Sequence, residues 1–401
     1  MYALDGIRVL DLSRGWAGPL CASLLGSMGA EVIKVESSTE MDFGRLITQG
    51  TKMGKLASVN QNPIFNVMNV NKSSITINLD KGSDLIRELI TRCDIVVENF
   101  VPGHAEAFGL SYEQVSRLNP KTIMVSFTCS GQSGPEANTR GYAPTFAALG
   151  GLSEMTGYPD GPPSQITPWA DIISAFAAFL ATAAAINQRD ITGQGQHIDC
   201  AGREIMSCFI GDSLVNYAMN GTVESRCGNR DDVMAPCNCY PCKGDDEWVS
   251  LAVADDAEWK ALCRVMKRPD WTKDAKFSGQ LSRWQNQDEM DKLIATWTVK
   301  YTPAEIMKML QKAGVAAVPS FNFDDLACDA HILERDASEV IDHPEMGPYF
   351  RLNLPWKTSA TKTVPTRRAP LLGEHTGHIL KEVLGKSEAE IAELTSQGVL
   401  K

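Results

Sequence analysis

Short runs of Val, Ile and Leu alternate with amphipathic stretches along the N-terminal third of the chain. Runs rich in β-branched residues predict strands, and apolar residues at helical spacing, such as Leu20, Leu24 and Leu25, predict the helices between them. The predicted strands are residues 7–12, 31–36, 74–79, 94–100 and 122–127. This alternation indicates an open, parallel α/β sheet, in which ligands bind at the carboxyl ends of the strands.

The strongest helical pattern lies at residues 171–187, where nearly every position is apolar. A helix that is apolar on all sides is normally buried, so we predict a deeply buried core helix. Its continuous apolar run, residues 172–186, is about 15 residues long, shorter than the ~20 residues that a membrane span needs. We therefore expect no membrane association.

The pattern changes after residue 219. Residues 220–243 are rich in Gly, Asn, Asp, Pro and Cys without clear periodicity, and we expect an irregular segment there. A strand, helical stretches and another strand follow, which indicates a smaller α+β domain. The predicted organisation is a large domain in two parts, residues 1–219 and 326–401, separated by a linker and small domain at residues 220–325.

Composition limits the partners. The 401 residues include 38 Lys and Arg against 49 Asp and Glu, which gives a net charge of −11. This balance argues against general binding to nucleic acids or anionic membranes, although a local basic patch can still hold an anionic ligand. The 11 cysteines, with no secretory signal pattern before them, predict reduced thiols in the cytoplasm.

Two motif-like features carry little weight. Cys237, Cys239 and Cys242 form a C-x-C-x-x-C cluster, but no fourth ligand follows at a spacing that metal sites use, so we predict no metal. The turn at residues 13–19 occupies the place of a dinucleotide-binding loop. It lacks G-x-G-x-x-G, and Pro19 removes an N–H that a pyrophosphate would use. A nicotinamide-dependent dehydrogenase is the weakest interpretation.

Asp171 is the most informative acidic residue, because it stands at the start of the very apolar helix. An Asp in this position is usually an N-cap. A carboxylate there would also be shielded from water while helix-end N–H groups keep it ionised, which suits a nucleophile. Local sequence does not separate the two interpretations.

Eight segments in order carry a family resemblance, among them VENFVPG at 97–103 and RAPLLGEHT at 368–376. The others are residues 4–12, 17–19, 29–36, 71–75, 131–135 and 192–199. Together they resemble the class III CoA-transferases, which include formyl-CoA:oxalate and carnitine CoA-transferases, with the 2-methylacyl-CoA racemases as relatives. The resemblance covers nearly the whole chain.

The resemblance implies a Rossmann-like large domain with an inserted small α+β domain, and an interlocked dimer with active sites at the subunit interface. It assigns the catalytic aspartate to Asp171, which would form an anhydride and then an aspartyl–CoA thioester. It also implies no tightly bound cofactor, since the coenzyme A thioester is a substrate.

Further site residues come from the same resemblance. Asn99 and Phe100 are similar to residues that line the channel for the pantetheine of CoA. Arg45 and Arg140 are similar to basic residues that meet CoA phosphates. Lys72 is a weaker candidate, for which ordinary solvated charge is an equally good interpretation.

Two departures bear on the substrate. Trp16 stands where the formyl/oxalate branch has Gln, which predicts a bulkier or aromatic acyl group at the substrate site. Tyr142 stands where the racemases have a catalytic His, and racemisation needs a base on each side of the α-carbon. The formyl/oxalate branch has a glycine-rich lid before its small domain, whereas the segment at 231–236 here has no glycine run. Whether this segment acts as an active-site lid stays open.

The predicted activity is transfer of CoA from a donor such as succinyl-CoA to a carboxylic acid. The acceptor is predicted to be aromatic or dicarboxylic, similar to benzylsuccinate or phenyllactate. Two alternatives stay open: a 2-methylacyl-CoA racemase-like enzyme, and a non-catalytic subunit of a heteromeric transferase. The chain is thus expected to form a homodimer or a heteromer with a homologous subunit.

Overall fold

A computed structural model of the chain describes residues 1–46, 57–166, 169–362 and 365–401. They form two compact units. The first unit contains residues 1–153, 165–220 and 333–401, and the second contains residues 154–164 and 221–332. The second unit therefore ends later than the predicted boundary at residue 325, and it includes a short segment that the prediction assigned to the large domain.

Six parallel strands form the sheet of the first unit within the described residues. They are β1 (Arg8–Asp11), β2 (Glu31–Glu36), β3 (Lys72–Thr76), β4 (Ile95–Glu98), β5 (Ile123–Thr128) and β6 (His197–Ala201). Their order is β3-β2-β1-β4-β5-β6, which confirms the predicted α/β class. The order reverses between β1 and β4, so the loops that follow these two strands meet at the switch point, where such sheets bind ligands.

Helices cover both faces of this sheet, and Val9 and Leu10 point into different buried clusters on its two sides. The helices are α1 (Ala17–Ser27), α2 (Phe43–Leu46), α3 (Pro63–Met68), α4 (Leu79–Ile90), α5 (His104–Ala107), α6 (Tyr112–Leu118), α7 (Ala143–Leu149), α8 (Leu152–Met155), α9 (Trp169–Thr192), α10 (Gly202–Cys208) and α11 (Gly211–Asn220). Burial of both faces is typical of parallel sheets, and it explains the unbroken apolar runs of the strands.

Helix α9 differs from its prediction. It packs against α1 through small buried residues such as Ala175 and Ala178, but only 39% of its most apolar window is buried. Leu180, for example, is 71% exposed. By length and composition alone the helix could cross a membrane. Its packing against α1 is instead that of a core helix whose outer side stays uncovered in the single chain.

The second unit is built on a three-stranded antiparallel sheet in the order β7-β8-β9. Its elements are β7 (Cys237–Pro241), β8 (Trp248–Ala252), α12 (Asp256–Val265), a 3₁₀ helix (Pro269–Lys273), α13 (Gln280–Gln285), α14 (Gln287–Thr298), α15 (Pro303–Lys312), β9 (Ala316–Pro319), α16 (Phe323–Cys328) and α17 (Ala330–Glu334). Trp259, Trp271 and Phe277 pack together in its core. Residues 237–241, predicted to be irregular, form a strand because Tyr240 provides a buried apolar position.

The C-terminal part returns to the first unit. It contains the antiparallel hairpin β10 (Ser338–His343) and β11 (Gly347–Leu352), then α18 (Thr376–His378), a π-helix (Ile379–Val383) and α19 (Glu388–Ser396). The backbone N–H of Gly373 donates to Ser74 Oγ at 2.9 Å, and that of His375 donates to Ser74 O at 2.9 Å. These bonds join the turn after Pro370 to the edge strand β3.

Candidate active site

Asn99 joins the two loops at the switch point of the sheet. Its side-chain amide donates to Arg14 O at 2.7 Å and accepts from Arg14 N at 2.8 Å. The following residue, Phe100, donates its backbone N–H to the Glu98 carboxylate at 2.7 Å. The amide of Asn99 is therefore engaged with protein, while the ring of Phe100 stays half-buried beside His104.

The backbone of residues 13–15, which precedes Trp16, is held by side chains from four other segments. The bonds are Ser13 N to Asp11 Oδ1 at 3.0 Å, Lys34 Nζ to Ser13 O at 2.8 Å, the two Asn99 bonds to Arg14, and Gly15 N to Asp42 Oδ1 at 2.9 Å. Asp11, Lys34 and Asp42 are each at least 97% buried. Hydrogen bonds in such surroundings fix geometry strongly, so this loop is pre-organised.

Trp16, Tyr142 and Asp171 lie at the starts of three helices, α1, α7 and α9. Each is the sequence neighbour of a buried alanine, and these alanines belong to one core cluster. They are Ala17, Ala143 and Ala170. Both α1 and α7 pack against α9. Three residues that are far apart in sequence therefore lie at the starts of helices that share one core.

Asp171 lies in the first turn of α9, which begins at Trp169. It is not the residue before the helix, so the N-cap interpretation is wrong in its simple form. The side chain is half-buried, and burial raises the pKa of its carboxyl to about 7. Desolvation disfavours the charged form here, which differs from the prediction that the group stays ionised. A carboxylate formed here is poorly solvated, which favours nucleophilic attack.

Tyr142 exposes 71% of its surface at the start of α7. Its ring meets the ring of Phe43 edge-on, with centroids 6.3 Å apart. Phe43 in turn covers the backbone of Gly15, the residue before Trp16. Trp16 itself is half-buried. Sequence reasoning missed Phe43, because a single aromatic residue after a strand gives no periodic signal.

Arg45 is only 1% exposed, unlike a residue that meets a phosphate in solution. Its guanidinium donates to both Glu36 oxygens, to Asn60 Oδ1 at 3.0 Å and to Pro370 O at 3.1 Å. It also stacks on Phe65, with its central carbon 3.5 Å from the ring centroid. All of these contacts are within the protein, so this conformation leaves no open face for CoA.

Lys72 is also buried, and its ammonium group has three acceptors. They are Asp11 Oδ2 at 2.7 Å, Pro19 O at 2.7 Å and Asn69 Oδ1 at 2.9 Å. Desolvation lowers the pKa of Lys72 to about 8, against the attraction of Asp11. The solvated-charge interpretation is wrong, and the three donors of the ammonium are all used internally.

Arg140 differs from both residues, because it is exposed at the turn before Tyr142. We call the region of Trp16, Tyr142 and Asp171 the candidate acyl site. An exposed guanidinium two residues before Tyr142 can form paired hydrogen bonds with a phosphate. Of the three basic residues predicted to meet CoA, Arg140 is the one whose position fits this role directly.

The cysteine cluster belongs to the second unit. Cys237 and Cys239 lie on one face of β7 and line a cavity of about 330 Å³ with Ser250 and Val318. Burial raises the pKa of Cys237. In the part of the chain that the structure describes, no group of three His, Cys, Asp or Glu side chains is arranged to hold a metal ion.

A second cavity in the first unit, of about 270 Å³, is lined by polar residues that include Glu98, Ser126 and His197. His197 Nε2 lies 2.9 Å from Ser126 Oγ, and its ring stacks on Tyr112. Burial raises the pKa of Glu98, which also lines this cavity, to about 7. The parallel pairing of β4, β5 and β6 brings these residues together, which local sequence could not indicate.

The chain matches known proteins along most of its length. The model of CoA-transferase family III matches residues 4–376. The chain belongs to this family. It is therefore an enzyme of the class III CoA-transferase type, as the sequence motifs predicted.

Among family relatives, the succinyl-CoA–D-citramalate CoA-transferase of Chloroflexus aurantiacus is 33% identical, over 99% of this chain and 98% of its own. The succinyl-CoA–L-malate CoA-transferase beta subunit of the same organism is 32% identical, over 99% and 98%. A crystal structure of a CAIB/BAIF family protein from Brucella suis matches with a TM-score of 0.85 and 30% identity, over 95% of this chain and 99% of that chain.

Proposed function

We propose that this chain transfers CoA from succinyl-CoA to a dicarboxylic acid of about the size of malate or citramalate. The observation that carries the proposal is Asp171, a half-buried carboxyl in the first turn of α9, beside the elements that carry Trp16 and Tyr142. Relatives named for succinyl-CoA with citramalate or malate match along almost the whole chain. They give no support to an aromatic acceptor.

In the proposed first half of the reaction, an Asp171 carboxylate oxygen attacks the thioester carbonyl of succinyl-CoA. The C–S bond breaks, CoA leaves as thiolate, and a succinyl–aspartyl anhydride remains. The thiolate then attacks the aspartyl carbonyl, which releases succinate and leaves an aspartyl–CoA thioester. Shielding from water protects both intermediates from hydrolysis, and fixed orientation supplies the effective concentration that a weak nucleophile needs.

In the second half, a carboxylate of the acceptor attacks the aspartyl–CoA thioester and forms a new anhydride with release of CoA thiolate. The thiolate attacks the acceptor's carbonyl, which gives the new thioester and regenerates the Asp171 carboxylate. Every step exchanges one acyl bond for another. The cycle balances without oxidant, reductant or net proton transfer.

CoA binding in this proposal uses the carboxyl edge of the sheet. Phe100 lines the path of the pantetheine arm, and Arg140 meets a phosphate. Asn99, Arg45 and Lys72 contribute by holding the loops of this edge, since their polar groups are engaged with protein.

We further propose that the chain works as a dimer in the cytoplasm. Helix α11 leaves large apolar side chains exposed, which on a single chain marks an interaction surface. They are Leu214, Val215, Tyr217 and Met219. All 11 cysteines are free, which supports a reducing compartment.

A heteromer is the second candidate, because one relative is named as a beta subunit. The racemase alternative has no matching observation, since Tyr142 replaces the racemase His. The test is to assay the chain expressed alone with succinyl-CoA and a panel of oxalate, malate, citramalate, glutarate and benzylsuccinate. The proposal predicts CoA transfer to malate or citramalate. The proposal is refuted if the folded, pure protein transfers CoA to neither malate nor citramalate.

A further inference from the structure

Asp42 ties two segments of the candidate acyl site together. Its Oδ1 accepts hydrogen bonds from Gly15 N at 2.9 Å and from Gly44 N at 2.8 Å. Its other oxygen lies 3.1 Å from Lys34 Nζ in a buried ion pair. A single carboxylate oxygen therefore fixes the distance between the loop before Trp16 and the first turn of α2.

Phe43 directly precedes Gly44 in the chain, and its ring lies against Gly15. A Cβ atom added to Gly15 would come within 2.1 Å of Phe43 Cζ, so the ring rests directly on the Gly15 backbone. Gly15 also has φ of +83°, a conformation that side chains of L-residues rarely adopt. Glycine is required at this position for both reasons, and it creates the space that the Phe43 ring fills.

The outer side of the Phe43 ring is available to a ligand. The residue is 38% exposed although it is held on one side by Gly15. Its edge-on contact with Tyr142 extends the apolar surface, and Tyr142 is itself 71% exposed. The Phe43 ring, which rests on Gly15, and the Tyr142 ring thus form one aromatic wall.

We propose that Phe43 determines which acceptor acid the enzyme prefers, and that Asp42 is the residue that positions it. This inference rests on the proposed function. The Phe43 ring limits the space beside the carbon chain of the acceptor, whose carboxylate reacts at Asp171. A wall of this kind separates acids that differ by one methyl group, as citramalate differs from malate, because a pocket distinguishes a single carbon by about tenfold or more.

The test compares kcat/KM for citramalate and for malate, with succinyl-CoA as donor, in five proteins. They are the wild type, Phe43→Ala, Phe43→Leu, Asp42→Ala and Asp42→Asn. We expect the citramalate-to-malate ratio to change about tenfold in Phe43→Ala, and less in Phe43→Leu. Asp42→Ala should move the ratio in the same direction, whereas Asp42→Asn, which keeps an acceptor oxygen for both N–H groups, should restore most of the wild-type ratio.

Phe323→Ala is the matched control, since Phe323 is 90% exposed in the second unit and should leave the ratio unchanged. If Phe43→Ala keeps the wild-type ratio while the wild type transfers CoA, the inference is wrong and the proposed function stands. If the wild type transfers no CoA to either acid, both fail. Because Phe43 is partly exposed, we expect its variants to fold. They therefore test the inference even if Asp42→Ala does not fold.

Discussion

The guanidinium of Arg45 is paired with the carboxylate of Glu36 through two buried bonds, Nε to Oε2 at 2.7 Å and Nη2 to Oε1 at 2.8 Å. Paired geometry of this kind satisfies both groups where water cannot. The family resemblance assigned Arg45 to CoA, but its contacts tie β2 to α2 and to the C-terminal turn at Pro370.

We therefore predict that Arg45→Gln lowers the free energy of unfolding by about 3–5 kcal/mol, the usual cost of leaving one partner of a buried pair without the other. Chemical denaturation measures it. The KM for succinyl-CoA of the protein that remains folded should change little. A large rise in KM with unchanged stability would instead support direct contact with CoA.

Arg140→Gln should have the opposite effect. Because Arg140 is exposed, we expect wild-type stability and a KM for succinyl-CoA that rises about 3- to 10-fold, with kcat nearly unchanged. Steady-state kinetics at low and high salt measures this. Arg335→Gln, an exposed arginine elsewhere in the first unit, serves as the control. Equal effects of the two substitutions would remove Arg140 from the binding site.

The pH dependence follows from the pKa of Asp171, which burial raises to about 7. The nucleophile is the carboxylate, so the rate of acylation should rise with pH through about 7 and then level off. At pH 6 only about a tenth of the enzyme should carry the charged form. Single-turnover acylation with succinyl-CoA is the measurement, and a rate that is flat between about pH 5.5 and 8 would contradict the assignment.

The free energy of unfolding should also depend on the ionisation of Asp171. It should fall as pH rises, whereas the acylation rate should increase. The carboxyl of Asp171 has a raised pKa in the folded state, so it destabilises the fold increasingly as pH rises from about 4 to 7. Asp171→Asn removes the charge and keeps the shape. We expect its Tm to exceed that of the wild type by more at pH 8 than at pH 5. An equal difference at both pH values would show that Asp171 is ionised normally.

Association can be tested on the apolar surface of α11. Light scattering should give twice the chain mass of 43.7 kDa for the wild type. Leu214→Glu combined with Val215→Glu should reduce the mass to that of one chain, since charges in an apolar interface are costly. Lys308→Glu, on an exposed position of the second unit, should stay dimeric. A wild type that is active as a monomer would exclude the dimer.

The sequence predicted the parallel sheet well, because its strands are continuous apolar runs separated by helices of clear period. It predicted less about segments whose structure depends on distant partners. The strand at Cys237–Pro241 exists through pairing with β8, and the C-terminal helix Glu388–Ser396 has only a weak apolar side. Helix α9 looked fully buried because its exposed positions are also apolar.

For the site, the motifs predicted Asp171 as the nucleophile. The structure adds that α1 and α7, which begin directly after Trp16 and Tyr142, both pack against α9, the helix that carries Asp171. Sequence could not separate basic residues that bind a ligand from those that hold the fold. Lys72 is buried beside Asp11, and Arg45 is buried beside Glu36. These pairs depend on the register of β1, β2 and β3, which joins residues that are distant in sequence. Phe43 was missed because its contact with Gly15 joins separate loops.

The most direct test of the account is covalent capture at Asp171. The enzyme is incubated with succinyl-CoA without acceptor, treated with hydroxylamine, digested and analysed by mass spectrometry, with Asp171→Ala as the control. The account predicts a hydroxamate on Asp171 in the wild type, and loss of transfer in the variant. Unmodified Asp171 in an enzyme that turns over, or full transfer by Asp171→Ala, would contradict it.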